Sequence, residues 1–320
     1  MGILDAFKRA AAPLRRISAR SALSAGASDE ELFDDEFQRK LDYLAMVSRR
    51  VFSGAMRAER RTKKTGSGVE FADHRDYAPG DDFRYLDWAA YQRFDRLLIR
   101  LYEEEEDLSI YFIVDTSASM AFGDGEKLRH AKRLCAALAY VGLANLDRIA
   151  IVTATDEISG RMQSTRGKAR IFRIFRFLGQ ARADGATDLG EAMKTFVAQH
   201  KRRGLAVVLS DLYDPDGFER GINVLRYNRF EPFVLHIVDG REARPALRGD
   251  VRVYDCETGD EREVTVTPKV LERYSQAYEQ YLDEVRRFCT SRQVSYFRAD
   301  VSVPFDELIL RVFRRGGFLR

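Results

Sequence analysis

Cysteine is scarce in this chain, long apolar runs are missing, and neither sign of charge dominates. Cys135, Cys256 and Cys289 are its three cysteines, far apart in 320 residues and without CxxC spacing. An odd, scattered set argues against a disulfide framework and a zinc ribbon, and it suits a reducing, cytoplasmic setting. A chain of this length buries roughly three quarters of its unfolded surface and needs no such staples. The longest apolar run, Leu134 to Ala144, has 11 residues. At about 1.5 Å per residue it covers about half of a ~30 Å hydrocarbon core, so no membrane span is expected. The first 25 residues hold no continuous apolar stretch, so no secretory signal is expected either. The 53 basic and 50 acidic residues leave a net charge of only +3, with no global field to draw in nucleic acid.

What is present divides into three regions. Residues 1–29 form a basic extension and a small, polar linker. Ile3, Leu4, Phe7, Leu14 and Ile17 share a helical face while Lys8, Arg9, Arg15 and Arg16 decorate the rest. A helix for a partner or a membrane surface (residues 1–20) and a frayed extension are both open readings. Residues 30–107 begin with a helical pattern over Glu30 to Val51. A charge run, Arg57 to Lys64, follows as a phosphate-binding strip or a solvated face.

From residue 108 to 320, β-rich runs alternate with amphipathic stretches. Strands are expected at Leu108–Val114, Ile149–Thr153, Leu205–Leu209, Phe233–Val238 and, more weakly, Val294–Phe297. Helices are expected at Lys127–Leu146, Lys168–Leu178, Leu189–Lys201, Phe218–Tyr227, Val270–Thr290 and Pro304–Phe313. Phe172, Phe175 and Phe177 read as core-facing. Strands without strict polar alternation, each followed by a helix, predict a doubly wound α/β fold with a mostly parallel sheet. A small hairpin, Val251–Asp255 and Glu263–Thr267, is inserted before the long helix.

In such a sheet, ligands bind beyond the carboxyl ends of the strands. The first of these strands runs into Asp115-Thr116-Ser117-Ala118-Ser119, where side chains two apart point the same way. A neighbouring strand ends at Leu209-Ser210-Asp211, and Gly185-Ala186-Thr187-Asp188 is a turn feeding a helix. Two carboxylates and three hydroxyls are hard oxygen ligands, suited to Mg²⁺ or Mn²⁺. An open position on that ion would attract an acidic side chain from a partner. The plainer alternative is that Asp115, Ser117 and Ser119 merely cap the next helix and satisfy loop amides.

Asp115-x-Ser117-x-Ser119, with Thr187 and Asp211, resembles the metal-ion-dependent adhesion site of von Willebrand factor A domains. The resemblance implies Ser117, Ser119 and Thr187 as direct ligands, with Asp115 and Asp211 acting through water or direct contact. Upstream, the stretch from Gly66 to Trp88, with Arg93 and Arg100-Leu101-Tyr102-Glu103-Glu104, is similar to the signature of the DUF58 family. That family joins the signature to a von Willebrand A-like domain and is often associated with MoxR-type AAA+ ATPases in complex maturation. The resemblance implies a protein partner of that kind, or its client. Within the signature, Pro79-Gly80 fits a type II turn. Asp73, Arg75, Asp76, Asp81, Asp82, Arg84 and Asp87 are dense opposite charges, with Trp88 beside them. They read as a partner-docking surface or as a charge-paired buttress, and His74 as a metal ligand or a hydrogen-bonded structural residue. Leu97 to Tyr102 is expected as an edge strand and Glu103 to Asp107 as an acidic connector.

Enzymatic readings fit less well. A phosphatase using Asp115 as nucleophile wants a second Asp two residues on, and Ser117 stands there. That metal-dependent hydrolase remains the alternative. The G-x-S-x-G of a serine hydrolase is missing here, and none of the four histidines has the setting of a base. Gly123-Asp124-Gly125 lacks the third glycine of a dinucleotide loop. Gly160 to Lys168 is spaced wrongly for a P-loop, with Ala169 in place of Ser or Thr. The expectation is a non-enzymatic, metal-dependent binding module.

Overall fold

The computed structural model describes residues 32–59, 61–65, 70–105 and 108–314. The basic extension and linker, residues 1–29, lie outside them together with residues 30 and 31, as do Gly66 to Val69 of the signature and the side chains of the Arg57–Lys64 charge run. In chain order the described elements begin with helix α1 (Asp35–Glu59), strands β1 (Arg61–Thr65) and β2 (Glu70–Asp76), helix α2 (Trp88–Phe94) and β3 (Leu98–Glu105). There follow β4 (Ser109–Asp115), α3 (Phe122–Ala144), β5 (Arg148–Ala154), β6 (Ile158–Thr165), α4 (Ile171–Gln180), α5 (Leu189–Gln199) and β7 (Leu205–Ser210). The chain continues with α6 (Phe218–Tyr227), β8 (Glu231–Val238), the one-turn α7 (Gly240–Ala243), the hairpin strands β9 (Gly249–Tyr254) and β10 (Glu261–Val266), α8 (Pro268–Ser291), β11 (Ser295–Asp300) and α9 (Phe305–Arg314).

Two compact units emerge among the described residues, one holding residues 32–47 together with 108–314, the other those between 48 and 105. In the first, six strands run in the order β11-β8-β7-β4-β5-β6, all parallel except for β6, which is antiparallel to β5. Every residue of β4 and β7 is buried, which is what a parallel strand covered on both faces requires. Alternation sends Tyr111 and Ile113 to one face, where α5, α6 and α8 supply Leu189, Phe196, Ile222, Leu225 and Val285. On the other face α3 lies along β4, β5, β7 and β8.

The first half of α1 belongs with this unit, whereas the sequence had grouped residues 30–107 together. Its apolar stripe explains the difference. Phe33 stacks on Phe175 with ring centroids 4.4 Å apart, and Phe37 meets Phe305 at 4.6 Å. The Asp42 carboxylate accepts from the Tyr140 hydroxyl (2.5 Å) and from Lys168 Nζ (2.8 Å). Of the three phenylalanines read as core-facing, Phe175 is buried while Phe172 is exposed and touches Phe175 edge-on.

The sequence pattern passed over β6. Its residues are polar and mostly exposed, as an edge strand allows, and they absorb the glycine segment that hinted at a P-loop. Gly123, Asp124 and Gly125 all take left-handed φ (66°, 57° and 80°), a turn that delays regular helix to Glu126.

In the second unit β3 is the centre of a three-stranded antiparallel sheet, β1-β3-β2, and not an edge. It runs on through Glu103 to Glu105, where a connector was expected. The Ala78–Asp81 turn closes through the Asp81 N–H to the Ala78 carbonyl (3.0 Å), with Gly80 at φ 104° as a type II turn demands.

Candidate functional site

β4 and β7 are parallel neighbours, with Val114 opposite Leu209, so their carboxyl ends bring Asp115 beside Ser210 and Asp211. The Ser210 hydroxyl donates to Asp115 Oδ2 (2.5 Å), and the Ser117 N–H donates to Asp115 Oδ1 (2.9 Å). Beyond β4 the chain turns through Ser117 into a short 3-10 segment, Ala118–Ala121, which leaves the Ser117 and Ser119 hydroxyls 3.0 Å apart. The loop before α5 is stitched to this turn. The Asp184 N–H donates to the Thr116 carbonyl (2.8 Å), and the Ala118 N–H to the Gly185 carbonyl (2.9 Å). Thr187 follows, and Asp188 caps α5 by accepting from the Glu191 N–H (2.8 Å). All five residues singled out from the sequence are buried, and Thr187, the most accessible, is 6% exposed.

Four further side chains lie beside these five, Lys127, Glu242, Glu257 and Ser210. Lys127, in the first turns of α3, is fully buried; its ammonium donates to Asp211 Oδ2 (2.5 Å) and to Glu242 Oε1 (2.7 Å) from α7. It also faces the Tyr213 and Phe122 rings at 5.0 and 5.7 Å. Glu257, in the turn of the β9–β10 hairpin, accepts from the Thr187 hydroxyl (2.7 Å) and the Thr187 N–H (3.0 Å). Ser210, next to Asp211, was the only added residue with a sequence signal, its place at a strand end. Lys127 stood in the sequence only as the start of an expected helix, and only the packing reveals that it points inward.

The electrostatics are those of buried acids in excess. Burial, reinforced by the charge of Asp211, pushes the Asp115 carboxyl up to about 7. Burial likewise pushes Glu242 up to about 7, against the pull of Lys127. Burial and then Asp211 raise Glu257, opposed by its bonds to Thr187. Burial disfavours the charge on Lys127, but Asp211 and Glu242 outweigh it and raise its pKa. Of the ionisable side chains Asp115, Asp211, Glu242, Glu257 and Lys127, only the last is a cation.

Carboxylate and hydroxyl oxygens are the donor type that hard divalent ions take. Neighbouring ligands on a Mg²⁺ octahedron with bonds of about 2.1 Å stand roughly 3.0 Å apart. The Ser117 and Ser119 oxygens already have that separation, 3.0 Å. Among the described residues no group of three or more His, Cys, Asp or Glu is arranged to hold a metal ion.

A model of the family described as "Protein of unknown function DUF58" matches residues 73–283. The chain belongs to the DUF58 family. Relatives include Uncharacterized protein Mb1516 of Mycobacterium bovis and Uncharacterized protein Rv1480 of Mycobacterium tuberculosis. Each is 26% identical over 262 residues, covering 80% of this chain and 82% of its own length. Among solved structures, conserved hypothetical protein BatB from Bacteroides thetaiotaomicron aligns at 13% identity and TM-score 0.40, over 65% of this chain and 96% of its own. An aerotolerance-related membrane protein from Bacteroides fragilis aligns at 15% identity and TM-score 0.37, over 65% of this chain and 99% of its own. No helix among the described residues is long and apolar enough to cross a membrane.

In this DUF58 chain the signature charges lie in the second unit and pair with one another. Arg75 donates to Asp81 (2.8 Å), Arg84 to Asp82 (2.6 Å) and Arg96 to Asp76 (2.7 Å). Asp87 is the hub. It accepts from Arg100 (3.0 Å), from His74 Nε2 (2.8 Å) and from the N–H groups of Ala89 and Ala90 at the start of α2. Arg100, the Ala90 amide and His74 hold its carboxyl well below the usual range. The Asp73 carboxylate accepts from the His74 N–H (2.8 Å). His74 thus faces one carboxylate across a hydrogen bond and has the setting of a structural residue. Trp88 is exposed, as are Phe71, Phe83 and Phe94.

Proposed function

We propose that this DUF58 protein is a non-enzymatic docking module built on a von Willebrand A-type α/β unit, binding an acidic protein partner through Mg²⁺ or Mn²⁺. The observation that carries the reading is the buried pair of hydroxyls, Ser117 and Ser119, set 3.0 Å apart beside Asp115 at the carboxyl edge of the sheet. Ser117, Ser119 and Thr187 would hold the ion directly, with Asp115 and Asp211 balancing its charge through water or direct contact. When bound, the ion supplies a Lewis-acidic position for a carboxylate. The protein's own contribution is to keep the hydroxyls oriented. Ser210 and the Ser117 amide lock Asp115, Lys127 locks Asp211, and two backbone bonds lock the Thr187 loop to the Ser117 turn.

The phosphatase alternative is weaker because a nucleophile has to reach its substrate. Asp115 is 1% exposed and both of its oxygens already accept hydrogen bonds. The partner suggested by the family resemblance is a MoxR-type AAA+ ATPase or its client, met in a reducing, cytoplasmic compartment where Cys135, Cys256 and Cys289 stay free thiols.

Mn²⁺ uptake by the full chain, followed by electron paramagnetic resonance of the free ion, tests this reading. One saturable site is expected, lost in the Ser119→Ala, Thr187→Ala double variant. Capture of a purified MoxR-type ATPase is expected with Mg²⁺ and not with EDTA. A wild-type chain that takes up no Mn²⁺ would sink the reading.

A further inference from the structure

The β9–β10 hairpin is an insertion in the α/β unit, and its turn is built to present one side chain. Asp255 Oδ1 accepts from the N–H groups of Glu257 (2.8 Å) and Thr258 (3.0 Å), and the Asp255 N–H closes the turn on the Asp260 carbonyl (2.9 Å). Gly259 takes φ 76° to complete it. The side chain so presented is Glu257, whose two oxygens grip the hydroxyl and the amide of Thr187 at 2.7 and 3.0 Å.

That arrangement is unfavourable for a carboxylate by itself. Glu257 is half-buried, it feels the charge of Asp211, and among the described residues it pairs with no lysine or arginine. The Lys127 ammonium pairs with Asp211 and Glu242 and not with Glu257, so the like charges gathered here out of water repel unless a further cation lies among them. The Thr187 hydroxyl is one of the three oxygens assigned above to a divalent ion, and 2.7 Å is close to the roughly 3.0 Å that separates adjacent ligands on one octahedron. A carboxylate poised there stands where the acidic residue of a partner would have to sit.

We infer that Glu257 is the carboxylate the chain itself supplies to the bound cation, so that the β9–β10 turn closes the docking site in cis and a partner's acidic residue must displace it. This rests on the cation reading above. It makes the hairpin an internal competitor: partner affinity is lowered by the occupancy of Glu257, and sequence changes in the turn tune that affinity without touching the core ligands.

The experiment compares the full chain with its Glu257→Gln and Thr187→Ala variants. Gln keeps an acceptor for the Thr187 hydroxyl and removes only the charge. Mn²⁺ affinity is expected to fall on the order of tenfold in Glu257→Gln, as for loss of one ligand charge. In the wild type alone, saturating Mg²⁺ is expected to slow amide exchange across residues 256–259. Glu257→Asp, which keeps the charge, should bind Mn²⁺ more tightly than Glu257→Gln and so separates charge from loop shape. Wild-type Mn²⁺ affinity in Glu257→Gln, with binding lost in Thr187→Ala, would overturn the inference and leave the cation reading standing: Glu257 would then only brace the loop. Absence of Mn²⁺ binding in the wild type would overturn both.

Discussion

Both units of this protein are organised around a carboxylate that collects several donors, yet Asp211 and Asp87 live in different media. Asp211 is fully buried at the end of β7, bonded to an ammonium that is itself fully buried. Asp87 sits at the start of α2, and its partners Arg100 and His74 are 41% and 33% exposed. Water screens the second set and not the first, so similar geometries carry unequal weight. In the α/β unit the charges are desolvated, so each depends on its partner. The antiparallel unit uses its charges to hold a turn, a helix start and a strand in register, and it leaves Phe71, Phe83, Trp88 and Phe94 exposed.

The largest test of this contrast is Lys127→Met. It leaves Asp211 and Glu242 buried without their cation, and breaking such a set costs about 3–5 kcal/mol. Urea unfolding should show that loss; a change within experimental error would mean that the Lys127 ammonium is not truly desolvated.

A smaller effect is expected at His130 on α3. Burial, assisted by Arg133 and opposed by Asp300, lowers it to about 4, and its Nε2 is buried without a hydrogen-bond partner. The folded chain therefore refuses a proton that the unfolded chain accepts below an ordinary pKa of about 6.5. Its contribution is intact above that pH and falls away as the pH drops towards 4, by about 3 kcal/mol in all. Comparing unfolding of wild type and His130→Gln across that window should give a flatter profile in the variant. Parallel profiles would place the acid sensitivity elsewhere.

The smallest effects belong to the antiparallel unit. Asp87→Ala removes the cap of α2 and should cost about 1 kcal/mol, read as faster amide exchange at Ala89 and Ala90. Arg84→Ala breaks an exposed pair and should leave the melting curve unchanged. If the two variants were equally costly, the ranking by exposure would fail.

Much of the α/β unit was legible beforehand because its strands are continuous apolar runs and its helices carry one apolar stripe. β4, β7, β8 and α6 stand within a residue or two of where those patterns put them. In the antiparallel unit only β3 was legible, as the strand expected over Leu97 to Tyr102; β1 and β2 were not. β1, with the sequence RTKKT, has no apolar face, and β2 carries four charged residues in seven. Such segments pair because β3 lies between them, a long-range fact with no local signature. Asp115, Ser117, Ser119 and Asp211 were legible because they follow strand ends, where a parallel sheet always opens, and Thr187 because it stands in a glycine turn feeding a helix.

By itself the sequence determined the alternation of buried strands and amphipathic helices, and hence which ends of which strands bear carboxylates and hydroxyls, because side-chain periodicity is a local property. Only the tertiary structure decided that Lys127 turns inward to Asp211 and Glu242 and that the β9–β10 turn lays Glu257 against Thr187. Those contacts join residues 84, 115 and 70 positions apart. No local pattern encodes them, since the energy that selects them comes from desolvating charges that meet only once the sheet is assembled.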